Sequence, residues 1–238
     1  MAKPTAKPTR NLHDWLARSI GERILAGEFA PGTLLPNEAA WGKIYDVSRT
    51  AVREAIKTLT GKGLLLSRPK IGSRVEPRDR WNLLDRDVLS WHRSAIDRRS
   101  FATSTQEARR IIEPGVAALA AKKRSIGQLD RLVAALEAMR NAKSVPINVA
   151  ADLEFHEALL QAANNDLMMP FGIIIEQALR NLFDYTSPRN PQPNLAIMLH
   201  EKIVRAIVDQ NAEAARQAML KLIDDTDAVI AAAMPLKK

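Results

Sequence analysis

The feature that most constrains the fold is the stretch at residues 46–63, which predicts a short turn followed by a helix with two unlike faces. Ser48 stands where an N-cap is expected, and apolar residues recur after it at the spacing of a buried stripe. The other face carries basic and hydroxyl side chains beside the free N–H groups of the helix start, which suits contacts with phosphates and base edges. The apolar positions are Val52, Ala55, Ile56 and Leu59, and the polar ones are Arg49, Thr50, Arg53 and Lys57.

A charged face alone is typical of any solvated amphipathic helix, so the flanking segments decide between the two interpretations. Upstream, helical spacing predicts a helix over residues 13–25, and Gly27 ends it. A turn and a short extended piece follow, and then a compact helix over residues 37–44 with Asn37 as its cap. Two helices of this size joined by a turn form the unit that places its second helix in the DNA major groove.

Downstream, residues 64–76 predict two short strands around a tip that contains Pro, Lys and Gly. A hairpin beside a recognition helix is a wing. Arg68, Lys70 and Gly72 would bring positive charge and a closely approaching backbone to the minor groove or to phosphates. The helix-turn-helix and the wing together are more specific than either part.

These segments resemble the winged-helix domain of the GntR family of bacterial transcription regulators. The matching residues lie at 35–38, 47–56, 59, 63–64 and 72–75. The resemblance implies that the wing tip reaches the minor groove and that operator DNA contacts Ser48, Arg49, Thr50 and Arg53. Many relatives carry a DNA-contacting arginine where this chain has Ala39, so the operator sequence does not follow from the resemblance.

Charge agrees with a DNA-binding N-terminal part, since residues 1–80 hold 15 Lys and Arg against 8 Asp and Glu in a chain whose net charge is +8. The chain has no cysteine, which excludes disulfides, thiolate catalysis and zinc fingers. No apolar run is long enough to span a bilayer, and we expect a cytoplasmic protein without a membrane partner. Residues 1–10 are expected to be a disordered basic tail.

The fold class expected for the whole chain is mainly α, with the N-terminal winged helix-turn-helix followed by a C-terminal antiparallel all-helical bundle. The expected domains are a winged helix at 11–77, a linker helix at 78–100 and a helical effector and dimerisation domain at 101–235. The linker contains Trp81 and Trp91, so we expect it to dock on a domain. Pro114 is expected to distort the first bundle helix. Helices are predicted over 104–124, 126–142, 146–163, 167–185, 193–210 and 211–233.

The C-terminal part resembles the effector domain of the FadR-like subgroup of the GntR family. The resemblance is carried by residues 109–121, 152–159, 165 and 200–207. Residues 80–91 are similar to those of members that control sugar-acid catabolism, which implies a sugar acid as effector.

Asp152 and His156 are four residues apart, so they share one face of a helix and can converge on a point. With His200 they form a candidate site for Zn, Ni or Mn, although an ordinary satisfied polar contact is the alternative. Metal-containing relatives have a further histidine where this chain has Leu222. The site therefore either holds a metal with three protein ligands or has lost it.

An anionic effector needs a guanidinium, because its planar fork binds a carboxylate bidentately. Alignment with the family favours Arg109, and Arg180 is a second candidate whose alternative is an ion pair with Glu176. The third candidate effector residue is Asn165, which is among the residues that carry the resemblance.

The expected function is a homodimeric, ligand-responsive repressor that binds operator DNA and is released by a small organic acid. Two alternatives remain at this point. One is a metal-dependent enzyme fused to a DNA-binding domain, although the chain lacks a recognisable base or nucleophile motif. The other is a DNA-binding protein that responds to no effector.

Overall fold

A computed structural model describes residues 11–68, 71–186 and 193–233, without the side chains of residues 182–186 and 193–194. The expected basic tail at residues 1–10 and the wing residue Lys70 lie outside the described residues. Two compact units divide the chain, residues 1–98 and residues 99–238. The mainly α fold class, with a winged helix-turn-helix followed by a helical domain, is confirmed.

The N-terminal unit contains three helices, a two-stranded antiparallel sheet and a fourth helix. Leu34 also bridges to Arg74 of the second strand, which is the extended piece expected before the second helix. The first two helices lie within one residue of their expected limits. The elements are α1 (Leu12–Leu25), α2 (Glu38–Tyr45), α3 (Arg49–Gly61), β1 (Leu65–Arg68), β2 (Gly72–Val75) and α4 (Arg86–Ala95).

Side-chain caps fix the starts of α2 and α3. The Asn37 side chain accepts a hydrogen bond from the N–H of Ala40 at 2.9 Å, and Ser48 Oγ accepts from the N–H of Ala51 at 3.2 Å. Asp46 makes the turn between the helices with a left-handed backbone, φ 53°, which Asp tolerates better than most residues. The predicted stripe of α3 is buried, so the opposite face is left at the surface.

Helix α4 packs onto α1 and completes the core of the N-terminal unit. Gly21 of α1 has no side chain where the Trp91 ring lies, and a Cβ there would be 2.6 Å from Trp91 Cε3. Lys62 Nζ also lies 2.7 Å from Asp85 Oδ1 and 5.7 Å from the centre of the Trp91 ring. The expected docking of the linker is confirmed. The compact unit extends to Arg98, and Trp81 and the apolar face of α4 belong to its core.

Every secondary-structure element in the described residues of the C-terminal unit is a helix. Its core is built mainly from Ala, Leu and Ile side chains, which let the helices approach closely. The helices are α5 (Arg98–Lys123), α6 (Ile126–Arg140), α7 (Val145–Ala162), α8 (Gly172–Thr186), α9 (Pro193–Val208) and α10 (Ala212–Ala233).

Two helices start more than two residues away from their expected first residue. Helix α5 starts at Arg98 rather than at residue 104, because Phe101 and Ala102 are buried and the Thr105 hydroxyl donates to their carbonyls within the helix. It also continues through Pro114. The helix predicted over 167–185 is divided into a 3-10 turn, Asp166–Phe171, and α8, since Pro170 lacks the N–H that a continuous α-helix needs.

Candidate functional site

The start of helix α3 presents the predicted DNA-contacting side chains to solvent. Arg49, Thr50 and Arg53 are all exposed, while Ser48 is exposed and also caps the helix. Arg53 lies 3.3 Å from Glu38 Oε2, with 63% of its side chain accessible, so this surface ion pair is weak and can open for a phosphate or a base. The structure therefore brings these four residues together at one positively charged helix end.

Two of the predicted wing contacts, Arg68 and Gly72, lie where the two strands of the hairpin end. Arg68 and Gly72 are paired across the two strands as the last residues before the tip, and both are exposed. Gly72 has φ 103°, a conformation that side-chain-bearing residues rarely adopt, which explains glycine at this position.

The predicted metal residues meet in the interior of the C-terminal unit. Asp152 and His156 lie on α7 and His200 on α9, and all three are buried. One ligand atom from each lies within 4.8 Å of the others, with Asp152 Oδ1 3.1 Å from His200 Nε2 and 3.9 Å from His156 Nε2. Phe155 packs edge-on against the His200 ring at 4.7 Å, so an apolar wall restricts water on that side.

Both imidazoles turn one nitrogen towards Asp152 and the other towards an acceptor. His200 Nδ1 is 2.7 Å from the Ala196 carbonyl oxygen, and His156 Nδ1 is 2.9 Å from Glu113 Oε2. The carboxylate oxygens of Glu113 and Asp152 lie off the ring N–H directions, so His156 Nδ1 and the Nε2 atoms of both rings are buried without a well-aligned hydrogen bond. If His200 donates only from Nδ1, the lone pair of Nε2 faces a carboxylate oxygen, and either a proton on Nε2 or a metal ion bound by both atoms would relieve that repulsion.

Two further charged residues join this cluster from α5. Arg109 and Glu113 are each 1% exposed, and Arg109 Nε lies 2.5 Å from Glu113 Oε1. Arg109 Nη1 donates to Gln106 Oε1 at 3.1 Å, and Gln106 Nε2 donates to Asp227 at 2.8 Å. Glu113 and Gln106 were not identified from the sequence, although the four-residue spacing of Arg109 and Glu113 in an alanine-rich helix was an available signal.

Charges within the cluster hold its carboxylates ionised. Burial acts to raise the pKa of Glu113, but the Arg109 charge and the contact with His156 outweigh it and lower that pKa to about 2. Burial also opposes ionisation of Asp152, yet His200, His156 and Arg109 lower its pKa below the ordinary value. Both acids are therefore carboxylates at neutral pH.

The other two predicted effector residues, Arg180 and Asn165, make their described contacts outside the buried charged cluster. Arg180 is an exposed side chain on α8 whose Nε lies 3.0 Å from Glu176 Oε1, which is the ion pair that was the alternative for this residue. The Asn165 side chain accepts a hydrogen bond from the N–H of Leu167 and caps the 3-10 turn. Leu222 is buried in α10 and contributes an apolar side chain to the core of the C-terminal unit.

The donor set fits a divalent metal such as Zn, Ni or Mn. Metal–ligand bonds of about 2.0–2.2 Å place neighbouring ligand atoms roughly 3–3.5 Å apart. The 3.1 Å between Asp152 and His200 fits that range, and the 3.9 Å between Asp152 and His156 is somewhat longer. Two buried Nε2 atoms without aligned partners and one carboxylate are ligands that such ions accept. Asp152, His156 and His200 would hold the ion and leave open positions for water or an effector.

Protein-family comparisons assign both units. Residues 12–75 match the model described as "Bacterial regulatory proteins, gntR family", and residues 105–225 match the FCD domain. The chain belongs to the GntR family. Its function is therefore transcription regulation through a helix-turn-helix, with a ligand-responsive FCD domain, and the metal-dependent enzyme considered from the sequence is excluded.

Individual relatives agree over nearly the full length. The Escherichia coli HTH-type transcriptional regulator YieP is 33% identical over 92% of this chain and 95% of its own. The galactonate operon transcriptional repressor of E. coli is 31% identical over 90% and 95%. Among solved structures, Streptococcus agalactiae GntR is 27% identical with a TM-score of 0.50, over 90% of this chain and 98% of its own. Listeria monocytogenes Lar, at 17% identity and a TM-score of 0.64 over 95% and 100%, shares the fold.

None of the helices in the described ranges combines the length and apolar character needed to cross a membrane.

Proposed function

We propose that this GntR-family regulator is a homodimeric cytoplasmic repressor that leaves its operator when a small organic acid binds the C-terminal unit. The observation that carries the proposal is the buried cluster around Asp152, Glu113 and Arg109. Charged groups are costly inside an alanine- and leucine-rich core unless they bind one another or a ligand. A buried charged cluster in one unit of a DNA-binding regulator is suited to detecting a polar effector.

The proposed DNA contacts are the exposed end of α3 and the wing. Arg49 and Arg53 would donate to base edges in the major groove, while the N–H groups at the helix start and Thr50 contact phosphates. Arg68, Gly72 and Lys70 would contact the minor groove or its phosphates. One recognition helix covers only a few base pairs, so a homodimer on a pseudo-palindromic operator is needed for specificity.

The proposed effector is a carboxylate with hydroxyl groups, such as a sugar acid. Asp152 and Glu113 are negative and Arg109 is positive, so the cluster has a net negative charge when both imidazoles are neutral. A bound divalent cation would make that net charge positive, which favours an anionic effector. A bound metal supplies Lewis-acid coordination of hydroxyl and carboxylate oxygens. Three of the five N–H groups of Arg109 point to Glu113 and Gln106, which leaves two for an effector carboxylate.

The galactonate operon repressor among the relatives supports a sugar acid as the first compound to test. Elemental analysis of the purified protein measures the metal, and calorimetry with galactonate measures effector binding. Lactate, a carboxylate with a single hydroxyl group, is the matched control. Galactonate binding that weakens operator affinity is the expected result, because an effector must bind two states unequally to shift them. Galactonate binding without any change in operator affinity would support the effector-independent alternative.

A further inference from the structure

Glu113 is a buried acid beside the candidate metal site, and it is not one of the three proposed metal ligands. Its Oε1 contacts Arg109 Nε at 2.5 Å, and its Oε2 lies 2.9 Å from His156 Nδ1. The histidine nitrogen nearest Asp152 is the opposite one, Nε2, at 3.9 Å. Glu113 is therefore placed behind the His156 ring, on the side away from the proposed ion.

Metal-ligating histidines usually donate their second ring N–H to a carboxylate or a backbone carbonyl, which fixes the tautomer and the ring orientation. Both acceptor types are present here, since His200 Nδ1 is 2.7 Å from the Ala196 carbonyl oxygen and His156 Nδ1 faces Glu113. A small rotation of the His156 ring would align its N–H with Oε2. Each ring would then present the lone pair of Nε2 towards Asp152.

We propose that Glu113 is a positioning residue that accepts the Nδ1 proton of His156 and orients Nε2 towards the metal. The inference rests on the proposed function of the cluster as a metal and effector site. Arg109 contacts one carboxylate oxygen of Glu113 and His156 contacts the other. A substitution of Arg109 would therefore act on the metal site through Glu113 and His156, in addition to removing a direct contact with the effector. Arg109 thus serves as the counter-ion of Glu113 and is also the candidate residue for binding the effector's carboxylate.

Zinc affinity of the full-length protein, measured by competition with a chromophoric chelator, tests this role. We expect Glu113→Ala to weaken zinc binding roughly 10- to 100-fold, as is typical when such a partner of a metal-ligating histidine is removed. Glu113→Gln keeps an oxygen that accepts from Nδ1, so its loss should be smaller. Glu107→Gln, which neutralises an exposed acid on the same helix, is the matched control and should bind zinc like the parent.

The visible absorption spectrum of the Co²⁺-loaded protein reports ligand geometry independently of effector binding. A changed spectrum is expected for Glu113→Ala and a parent-like spectrum for Glu107→Gln. If Glu113→Ala does not fold, Arg109→Met/Glu113→Gln removes both buried charges at once and leaves neither unpaired. The folded double variant should still bind zinc more weakly than the parent.

The possible failures are distinguishable. If the parent binds zinc or cobalt and the folded Glu113 variants match it in affinity and spectrum, Glu113 is only a structural partner of Arg109. The positioning role is then overturned while the metal site stands. If the parent binds neither ion, both the metal site and the positioning role are overturned.

Discussion

Because helix α4 packs on α1, we expect a glycine-to-alanine substitution to have opposite effects on stability at two positions of the N-terminal unit, Gly21 and Gly61. A Cβ at Gly21 would lie 2.6 and 2.7 Å from two ring carbons of Trp91, whereas a Cβ at Gly61 has no heavy atom within 4 Å. Ordinary carbon contacts are about 3.5–4.0 Å, so Gly21→Ala must displace the Trp91 ring by about 1 Å. Gly61→Ala displaces nothing.

Both substitutions gain helix propensity, worth up to about 1 kcal/mol relative to glycine. Overpacking of a closed interface costs about 1–3 kcal/mol, and only Gly21→Ala incurs it. Gly21→Ala is therefore expected to be less stable than Gly61→Ala by about 1–3 kcal/mol. For a unit of this size the difference corresponds to roughly 4–24 °C in melting temperature.

Tryptophan fluorescence is a selective assay, because the four tryptophans of the chain all lie in residues 1–98. Urea and thermal unfolding of the parent and the two variants give the free-energy difference directly. Gly61→Ala should be equal to or more stable than the parent. Equal stability of the two variants would refute the close packing of α4 against α1, and with it the extension of the compact unit to Arg98.

Three further outcomes are expected. Asp85→Ala should cost about 0.5–2 kcal/mol through loss of the α4 cap, while Asp85→Asn keeps a cap and loses the charge pair with Lys62. Burial raises the pKa of Asp85, but hydrogen bonds from Lys62 and from the N–H of Val88 outweigh burial and lower the pKa overall. The parent should therefore have a higher free energy of unfolding than Asp85→Asn at neutral pH. That difference should vanish as the pH falls through the lowered pKa, because Asp85 is then protonated in both states. Arg49→Ala and Arg53→Ala should each cost about 1–3 kcal/mol of operator binding, and Lys57→Ala, in the third turn of α3, should cost less; equal losses in a fluorescence-anisotropy titration would contradict the assignment. Leu222→His should tighten zinc binding if it supplies a further ligand, and unchanged affinity would place α10 too far from the ion.

The sequence was most informative where local rules determine structure. The cap of Ser48 and the buried stripe of α3 follow from spacing alone, and the wing follows from two short strands around Gly72. The start of α5 was placed too late, because the Ser and Thr residues that resemble a helix boundary are accommodated in the helix by Phe101 burial and backbone bonding of Thr105.

Only part of the candidate site could be predicted from the sequence, because some of its contacts join residues from different helices. Asp152 and His156 are four residues apart, so their proximity is visible in the sequence, whereas the resemblance to relatives was needed to add His200 from another helix. Glu113 contacts His156 through tertiary packing, which no local pattern encodes. The pairing of Arg180 with Glu176 was one of two alternatives at the four-residue spacing, and spacing alone does not choose between them.

Selection of binding sequences from a random duplex DNA library by the full-length protein, followed by titration with galactonate, tests the central claim most directly. The account predicts enrichment of one pseudo-palindromic sequence, loss of that binding in Arg49→Ala/Arg53→Ala, and weaker binding by the parent when galactonate or another small organic acid is present. Enrichment of no sequence, or full affinity of the double variant for the selected DNA, would contradict the assignment of α3 as the recognition helix.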